Sequence, residues 1–381
     1  MTSSQQELLK CIRGTLFTNE LYTLSDEIIE EAKQQVVFSF LTTRVDRYAV
    51  VAQNVQLVHE QNNVAKLLEN VPFVVLKGTA TSVYYPEPIL RVLGDIDIIV
   101  RPEDFDKAYS LLKTGGYDPY EYPGGNNREV PFYKDNCVIE LHRTYAELNK
   151  KEQEVRLDQW IYDAIPYAVY GEIQGHSFPM LPEPLNGLTL LAHISQHLEG
   201  GLGIRQILDW LMYVNKELHD WAWPAFREKT DQLGLTKLAK ITARLGQLYL
   251  GLPQKEITWC LDADEQLCSE LLEYLFECGN FGRKLGPNNT VTAVFSKGSG
   301  IKDFFVNLQE AGENTWEALR CHPSLKPVAW GYQGIRLIAR GMKQVTLKEL
   351  IRDIRASKRR NKLMEKLGAT QQGKRNKEYF R

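Results

Sequence analysis

Two aspartates one residue apart, Asp95 and Asp97, lie within the run Gly94-Asp95-Ile96-Asp97-Ile98-Ile99-Val100. The β-branched content of that run reads as a strand, and along a strand residues i and i+2 face the same way. Both carboxylates therefore share one face, with Ile96 and Ile98 on the other. Adjacent carboxylates repel, and a divalent cation relieves the repulsion. Mg²⁺ is typically held by one or two protein carboxylates together with substrate phosphate oxygens. An ion so placed activates an attacking hydroxyl and steadies a leaving pyrophosphate. A second strand-like run, Cys137-Val138-Ile139-Glu140-Leu141-His142, sets Glu140 and His142 on one face. If it lies beside the first, Glu140 completes a three-carboxylate site and His142 stands next to the metal or a phosphate. Taken alone, an Asp-x-Asp tripeptide is equally compatible with an exposed strand end.

A further group occupies the second half of the chain. His193-Ile194-Ser195-Gln196-His197 places two histidines one helical turn apart, and Arg205 and Asp209 have the same spacing. A His-x₃-His pair can ligate a metal, with Asp209 as a third ligand. No glutamate follows the first histidine, so the metalloprotease pattern is absent. The plainer alternative is a helix contact in which Arg205 pairs with Asp209 and the histidines bond locally; a structural or substrate-lining role is favoured over zinc. Dinucleotide, P-loop and nucleophile-elbow motifs are all missing.

Periodicity supplies the elements that position these residues. The first 70 residues are helical, with a start at Ser25-Asp26-Glu27 and a long amphipathic stretch from Val45 to Leu68. Phe73–Leu76 is a buried strand. Lys77-Gly78-Thr79-Ala80 then leads a short helix toward Tyr85, stopped by Pro86 and Pro88. After the Asp-x-Asp strand, Pro102-Glu103-Asp104 opens a helix that Gly115-Gly116 ends. Glu129–Lys134 and Cys137–Arg143 form a strand pair turned at Asp135-Asn136, and the glycine-rich Tyr120–Asn127 could rim the site. Residues 71–145 thus read β-α-β-α-β-β. Helices return at 188–198, 204–214, 235–250 and 265–277, followed by a Gly- and Asn-rich loop over 280–300. The expected division is an N-terminal helical region 1–70, an α/β core 71–184, a helical domain 185–335, and a basic helix and tail 336–381.

Charge and composition bound the rest. Residues 336–381 carry 15 Lys+Arg against 4 Asp+Glu, although the whole chain is at −2. A basic tail on an acidic body suits RNA, an anionic surface or an acidic partner, or else docks on the chain's own acidic body. Tyr379 and Phe380 are its only aromatics, which disfavours base stacking. The six cysteines show no paired spacing, so free thiols in a reducing cytosol are expected. No apolar run approaches the roughly 18 residues of a membrane span, and no secretory pattern opens the sequence. A cytoplasmic protein is expected.

Leu76-Lys77-Gly78, Tyr85-Pro86, Arg91 and Gly94-Asp95-Ile96-Asp97, followed by Glu140-Leu141-His142, resemble the nucleotidyltransferase superfamily related to polymerase beta. More narrowly they resemble its bacterial uncharacterised nucleotidyltransferase family, over roughly residues 70–215. The resemblance implies an α+β fold, with a small mixed-sheet core flanked by N-terminal and C-terminal helical regions. It implies that Asp95 and Asp97 bind Mg²⁺ (or Mn²⁺), with Glu140 as third carboxylate and base toward the acceptor. Gly78 and Thr79 take the place of the superfamily's Gly-Ser turn, where backbone N–H groups at a helix start hold phosphate. The β-branch of Thr79 crowds that turn. Lys77, Arg91 and His142 are implied to face the nucleotide phosphates; the alternatives are a surface lysine and an arginine paired with local acids. A similar His-His-Arg-Asp run in the family points to a role near the cleft for His193, His197, Arg205 and Asp209. The expected reaction moves a nucleoside monophosphate from an NTP such as ATP to an acceptor hydroxyl or phosphate. The acceptor, whether small molecule, glycan or protein, stays open. The rival expectation is a catalytically silent nucleotide-binding or scaffolding protein whose basic tail engages a partner.

Overall fold

A computed structural model describes residues 1–20, 22–42, 45–120, 128–198, 201–280, 284, 359–360 and 362–368. Seven strands form one mixed sheet: β1 (Phe73–Leu76), β2 (Ile96–Val100), β3 (Asp118–Pro119), β4 (Glu129–Lys134), β5 (Cys137–His142), β6 (Val169–Ile173) and β7 (His176–Met180). Their order is β3-β4-β5-β2-β1-β7-β6. The two central strands, β1 and β2, are buried at every position, apolar throughout except for Asp97 of β2. They pair antiparallel, with Leu76 opposite Asp97. β2 runs parallel to β5, with Asp97 opposite Glu140 and Ile99 opposite His142. β4 returns antiparallel to β5 through the expected turn at Asp135-Asn136.

The sheet extends beyond the four strands read from the sequence. β7 pairs parallel with β1 and antiparallel with β6. The β6–β7 turn places Gln174 and Gly175 at φ of 53° and 73°, a pair of positive φ values that matches the twist of a hairpin. Asp95 falls just before β2 rather than within it.

Four helices precede the sheet: α1 (Ser3–Arg13), α2 (Asp26–Gln34), α3 (Phe38–Leu41) and α4 (Asp46–Leu67). Ser25 caps α2 by accepting from the Ile28 N–H, as its sequence suggested. Inserted in the sheet region are α5 (Gly78–Ser82), α6 (Phe105–Thr114) and α7 (Lys151–Ala164). The helices α8 (Leu185–His197), α9 (Ile204–Glu217), α10 (Trp223–Leu233), α11 (Thr236–Leu245) and α12 (Glu265–Cys278) follow.

Buried polar side chains tie these helices to the loops that carry the site. Asn54 of α4 donates to the carbonyls of Ile89 (2.7 Å) and Arg91 (2.8 Å) and accepts from the Leu93 N–H (3.0 Å). Ser39 donates to the Leu90 carbonyl. The approach to Asp95 is therefore fixed by bonds to its backbone. Gln35, fully buried, donates to the Leu275 carbonyl and accepts from the Ile204 N–H, joining the N-terminal helices to α12 and α9.

Part of the basic region lies on the body. Residues 359–360 and 362–367 are helical, and Leu363, Met364 and Leu367 are buried. Lys366 pairs with Glu270 at 2.7 Å and Arg359 with Glu277, both acids on α12. The remaining residues of 336–381, the expected loop 280–300 apart from residues 280 and 284, and residues 121–127 lie outside the described residues. No helix among the described residues is long and apolar enough to cross a membrane. The five described cysteines are unpaired.

Candidate active site

β1 ends in a turn that only an unusual backbone allows. Lys77 has φ of 46° and Gly78 of 41°. Glycine tolerates that region, whereas a lysine there is held by its surroundings. The holding contact is ionic: Lys77 Nζ lies 2.8 Å from Asp97 Oδ1. The same oxygen lies 3.0 Å from His142 Nε2, which is 3.6 Å from Glu140 Oε2. On the other side of the ring, His142 Nδ1 lies 3.3 Å from Glu129 Oε2, outside hydrogen-bond geometry. Register explains the grouping. Asp97 faces Glu140 across the β2–β5 pair, His142 is two residues along β5, and Glu129 is opposite His142 on β4.

Burial turns this grouping into strong mutual charge control. Burial alone would push the Asp97 carboxyl up and the Lys77 ammonium down. Their attraction, with His142 bonded to Asp97, overrides it: Asp97 sits well below the usual carboxylate range and Lys77 above the usual lysine range. Burial also pushes the His142 imidazolium down, but the bonds to Asp97 and Glu140 raise it to about 9. Glu140 is raised, first by burial and then by Asp97 and Asp95, with His142 opposing. Asp95, exposed at the cavity, is raised chiefly by the Asp97 charge.

These residues line a cavity of about 460 Å³ whose far wall is helical. His193, Gln196 and His197 of α8 and Arg205 of α9 contribute to that wall. The rings of His193 and His197 meet edge-on at 4.4 Å. Burial, followed by the Lys77 charge, holds His193 well below the usual histidine range and His197 at about 4. Tyr145 bridges the walls. Its backbone N–H donates to Asp158 at 2.8 Å, its hydroxyl donates to the Thr189 carbonyl of α8 at 2.9 Å, and Lys77 Nζ lies 5.8 Å from its ring centroid.

The structure departs from the sequence expectations at Thr79, Arg91 and Asp209. Thr79 does not line the cavity; its buried hydroxyl donates to Gln61 Oε1 at 2.6 Å. The acid-paired alternative for Arg91 is what the structure has, but its partner is distant in sequence. Its Nε and Nη2 donate to Asp209 Oδ1 and Oδ2, each at 2.7 Å, and the Tyr85 hydroxyl adds a bond to Oδ1 at 2.8 Å. Asp209 thus spends its carboxylate on Arg91 rather than on its helical neighbour Arg205, which donates to the Val92 carbonyl at 3.3 Å. Asp95, Asp97, Lys77, Gly78, Arg91, Glu140, His142, His193, His197 and Arg205 all line the one cavity, with Asp209 behind its wall. The sequence reading missed Arg128, Glu129, Tyr145 and Gln196. Only Glu129 carried a local signal, as the first residue of a strand already paired with the His142 strand.

The donor set fits a divalent cation. Asp97, Glu140 and His142 each place a ligand atom within 4.8 Å of the others. Asp95, Asp97, Glu129 and Glu140 oppose Lys77, Arg205 and the protonated His142, while Arg91 and Arg128 are paired with Asp209 and Glu147. Carboxylate oxygens suit Mg²⁺ or Mn²⁺, and His142 must first lose its proton to serve as a ligand.

No curated protein and no solved structure matches the chain. A family model described as an uncharacterised nucleotidyltransferase matches residues 20–251, a span that contains every cavity residue named above and exceeds half the chain. The chain belongs to that family of nucleotidyltransferases.

Proposed function

We propose that the protein is a Mg²⁺-dependent enzyme that moves a nucleoside monophosphate from an NTP to an acceptor hydroxyl or phosphate and releases pyrophosphate. The observation that carries the reading is the in-register pairing of Asp97 with Glu140, bridged by His142, inside a cavity also lined by cations. Asp95, Asp97 and Glu140 would hold the ion, which when bound supplies charge neutralisation at the reacting phosphate. Lys77 and Arg205 offer positive charge to the triphosphate, and Gly78 opens the turn beside it. Glu140, raised by burial, is suited to take the acceptor proton. The acceptor oxygen bonds to the α-phosphorus as the bond to the β,γ-diphosphate breaks. Chemistry of this kind depends mainly on positioning and electrostatics. In this reading residues 71–184 form the catalytic core, and the helical region from 185 walls the cleft and selects the acceptor.

Pyrophosphate release from each NTP with Mg²⁺, across an acceptor panel, tests the reading. Wild type should release pyrophosphate and Asp97→Asn should not; equal release by the two would remove the site. A second reading is favoured by one specific arrangement. The Lys77 ammonium already sits on Asp97, and the Thr79 hydroxyl is spent on Gln61. A protein that binds nucleotide without turnover would look like this, and it would show micromolar binding with no pyrophosphate after long incubation.

A further inference from the structure

We propose that Lys77 couples divalent cation to nucleotide: its ammonium holds Asp97 until a triphosphate draws it away, so the cation and the NTP bind well only together. This role rests on the nucleotidyl-transfer reading and adds to it the way in which the site is loaded.

The contact that carries it joins Lys77 Nζ to Asp97 Oδ1 at 2.8 Å. His142 Nε2 lies 3.0 Å from the same oxygen. Among the described residues, Asp97, Glu140 and His142 form the one group whose ligand atoms lie close enough to hold a metal ion. Lys77 thus sits on a carboxylate that the ion needs. An ammonium and a divalent cation on one buried carboxylate repel strongly, because away from bulk water their charges are poorly screened. Lys77 is also the outer member of the pair. Its side chain is 18% exposed against 2% for Asp97, and it lines the cavity. The ammonium therefore shields Asp97 from an ion that enters by the cavity.

The ammonium can leave while the backbone stays. Lys77 belongs to the turn that ends β1, with its own φ at 46° and that of Gly78 at 41°. Above that turn the four-carbon stem is flexible. The Tyr145 ring, with its centroid 5.8 Å from Nζ, is within reach of a cation–π contact. Only an anion compensates the ammonium for the loss of Asp97, and a triphosphate offers several oxygens in exchange for one. Asp97 is then released where phosphate oxygens stand ready as the remaining ligands of a Mg²⁺-type ion. Coupling of this kind is reciprocal. Each ligand raises the affinity of the other by the same factor, typically about 5–150-fold.

The test is Mn²⁺ binding to the full chain without nucleotide, followed by loss of the free-ion signal in electron paramagnetic resonance. Lys77→Gln removes the charge and keeps a hydrogen-bond donor toward Asp97. Lys77→Met removes the charge and keeps the stem, and Lys77→Arg keeps the charge. Lys77→Gln and Lys77→Met should bind Mn²⁺ at least ~10-fold more tightly than wild type, and Lys77→Arg no more tightly. Their affinity for an ATP analogue with a methylene between the α- and β-phosphorus, titrated by calorimetry in saturating Mn²⁺, should fall at least ~10-fold. Opposite changes in one variant separate this role from damage to folding. In Lys77→Gln/Asp97→Asn the gain in Mn²⁺ affinity should vanish. Mn²⁺ binding no tighter in Lys77→Gln and Lys77→Met than in wild type would overturn the role of Lys77. If Asp97→Asn still weakened Mn²⁺ binding in that case, the metal site would stand and Lys77 alone would lose its part. Absence of Mn²⁺ binding in wild type and every variant, even with the analogue, would remove the nucleotidyl-transfer reading as well.

Discussion

Lys77 and Asp97 stabilise each other's charge in a place where burial disfavours both. Removing one partner of such a pair strands the other, whereas an isosteric amide keeps part of the hydrogen bonding. Asp97→Asn should therefore stay folded and lose about 2 kcal/mol in urea unfolding, while turnover falls by at least ~10²-fold. Unfolding on purification would show that Asp97 is structural first. The neutral histidines make a second residue-scale prediction. Their folded pKa values lie below the unfolded value, so between about pH 6.5 and 4 the unfolded chain binds protons that the folded chain refuses. Stability from this source is present above pH 6.5 and lost as pH falls. His197→Gln should flatten the acid limb of the stability profile relative to wild type, and an unchanged limb would place the imidazole in water. At this scale the sequence was informative: alternation alone put Asp95 with Asp97 and Glu140 with His142. It could not show that the Thr79 hydroxyl turns to Gln61 or that Asp209 chooses Arg91, because both partners are far away in the chain.

Among the elements, the Arg91–Asp209 pair joins the loop before β2 to α9, and Asn54 joins the same loop to α4. Breaking a buried ion pair by removing one member typically costs about 3–5 kcal/mol, while replacing both by apolar groups is often neutral. Arg91→Met should thus destabilise strongly, and Arg91→Met/Asp209→Leu should recover most of the loss in a double-mutant cycle. Additive losses would contradict direct coupling. Asn54→Ala strands two carbonyls and one N–H, so it should destabilise by about 3 kcal/mol and lower turnover without touching substrate. The strands around the site were legible because their apolar runs are bounded by Gly, Pro and Asp-Asn. The β6–β7 hairpin was not, since Gly171 and Pro179 break its strand pattern. Its turn at Gln174-Gly175 was the available signal.

For the whole molecule, the charge asymmetry found in the sequence resolves in part into self-docking. Leu363, Met364 and Leu367 bury against the body while Lys366 and Arg359 meet acids of α12. Removing residues 336–381 should lower stability by about 3 kcal/mol, the worth of a few buried apolar side chains. It should leave RNA affinity, measured at two salt concentrations, no different from that of the full chain. A steep salt dependence lost on truncation would instead assign the segment to a polyanion. The family match extends to both sides of the motif-bearing stretch, over residues 20–251. That breadth accords with the bonds from Gln35 and Asn54, which make the N-terminal helices part of the support for the cleft.

The most direct measurement is isothermal titration of each of the four NTPs with Mg²⁺ into wild type and into Asp95→Asn/Asp97→Asn. Wild type should bind at least one NTP in a metal-dependent way, and the double variant should lose that binding. Nucleotide binding that persists without Mg²⁺ or survives both substitutions would contradict that expectation.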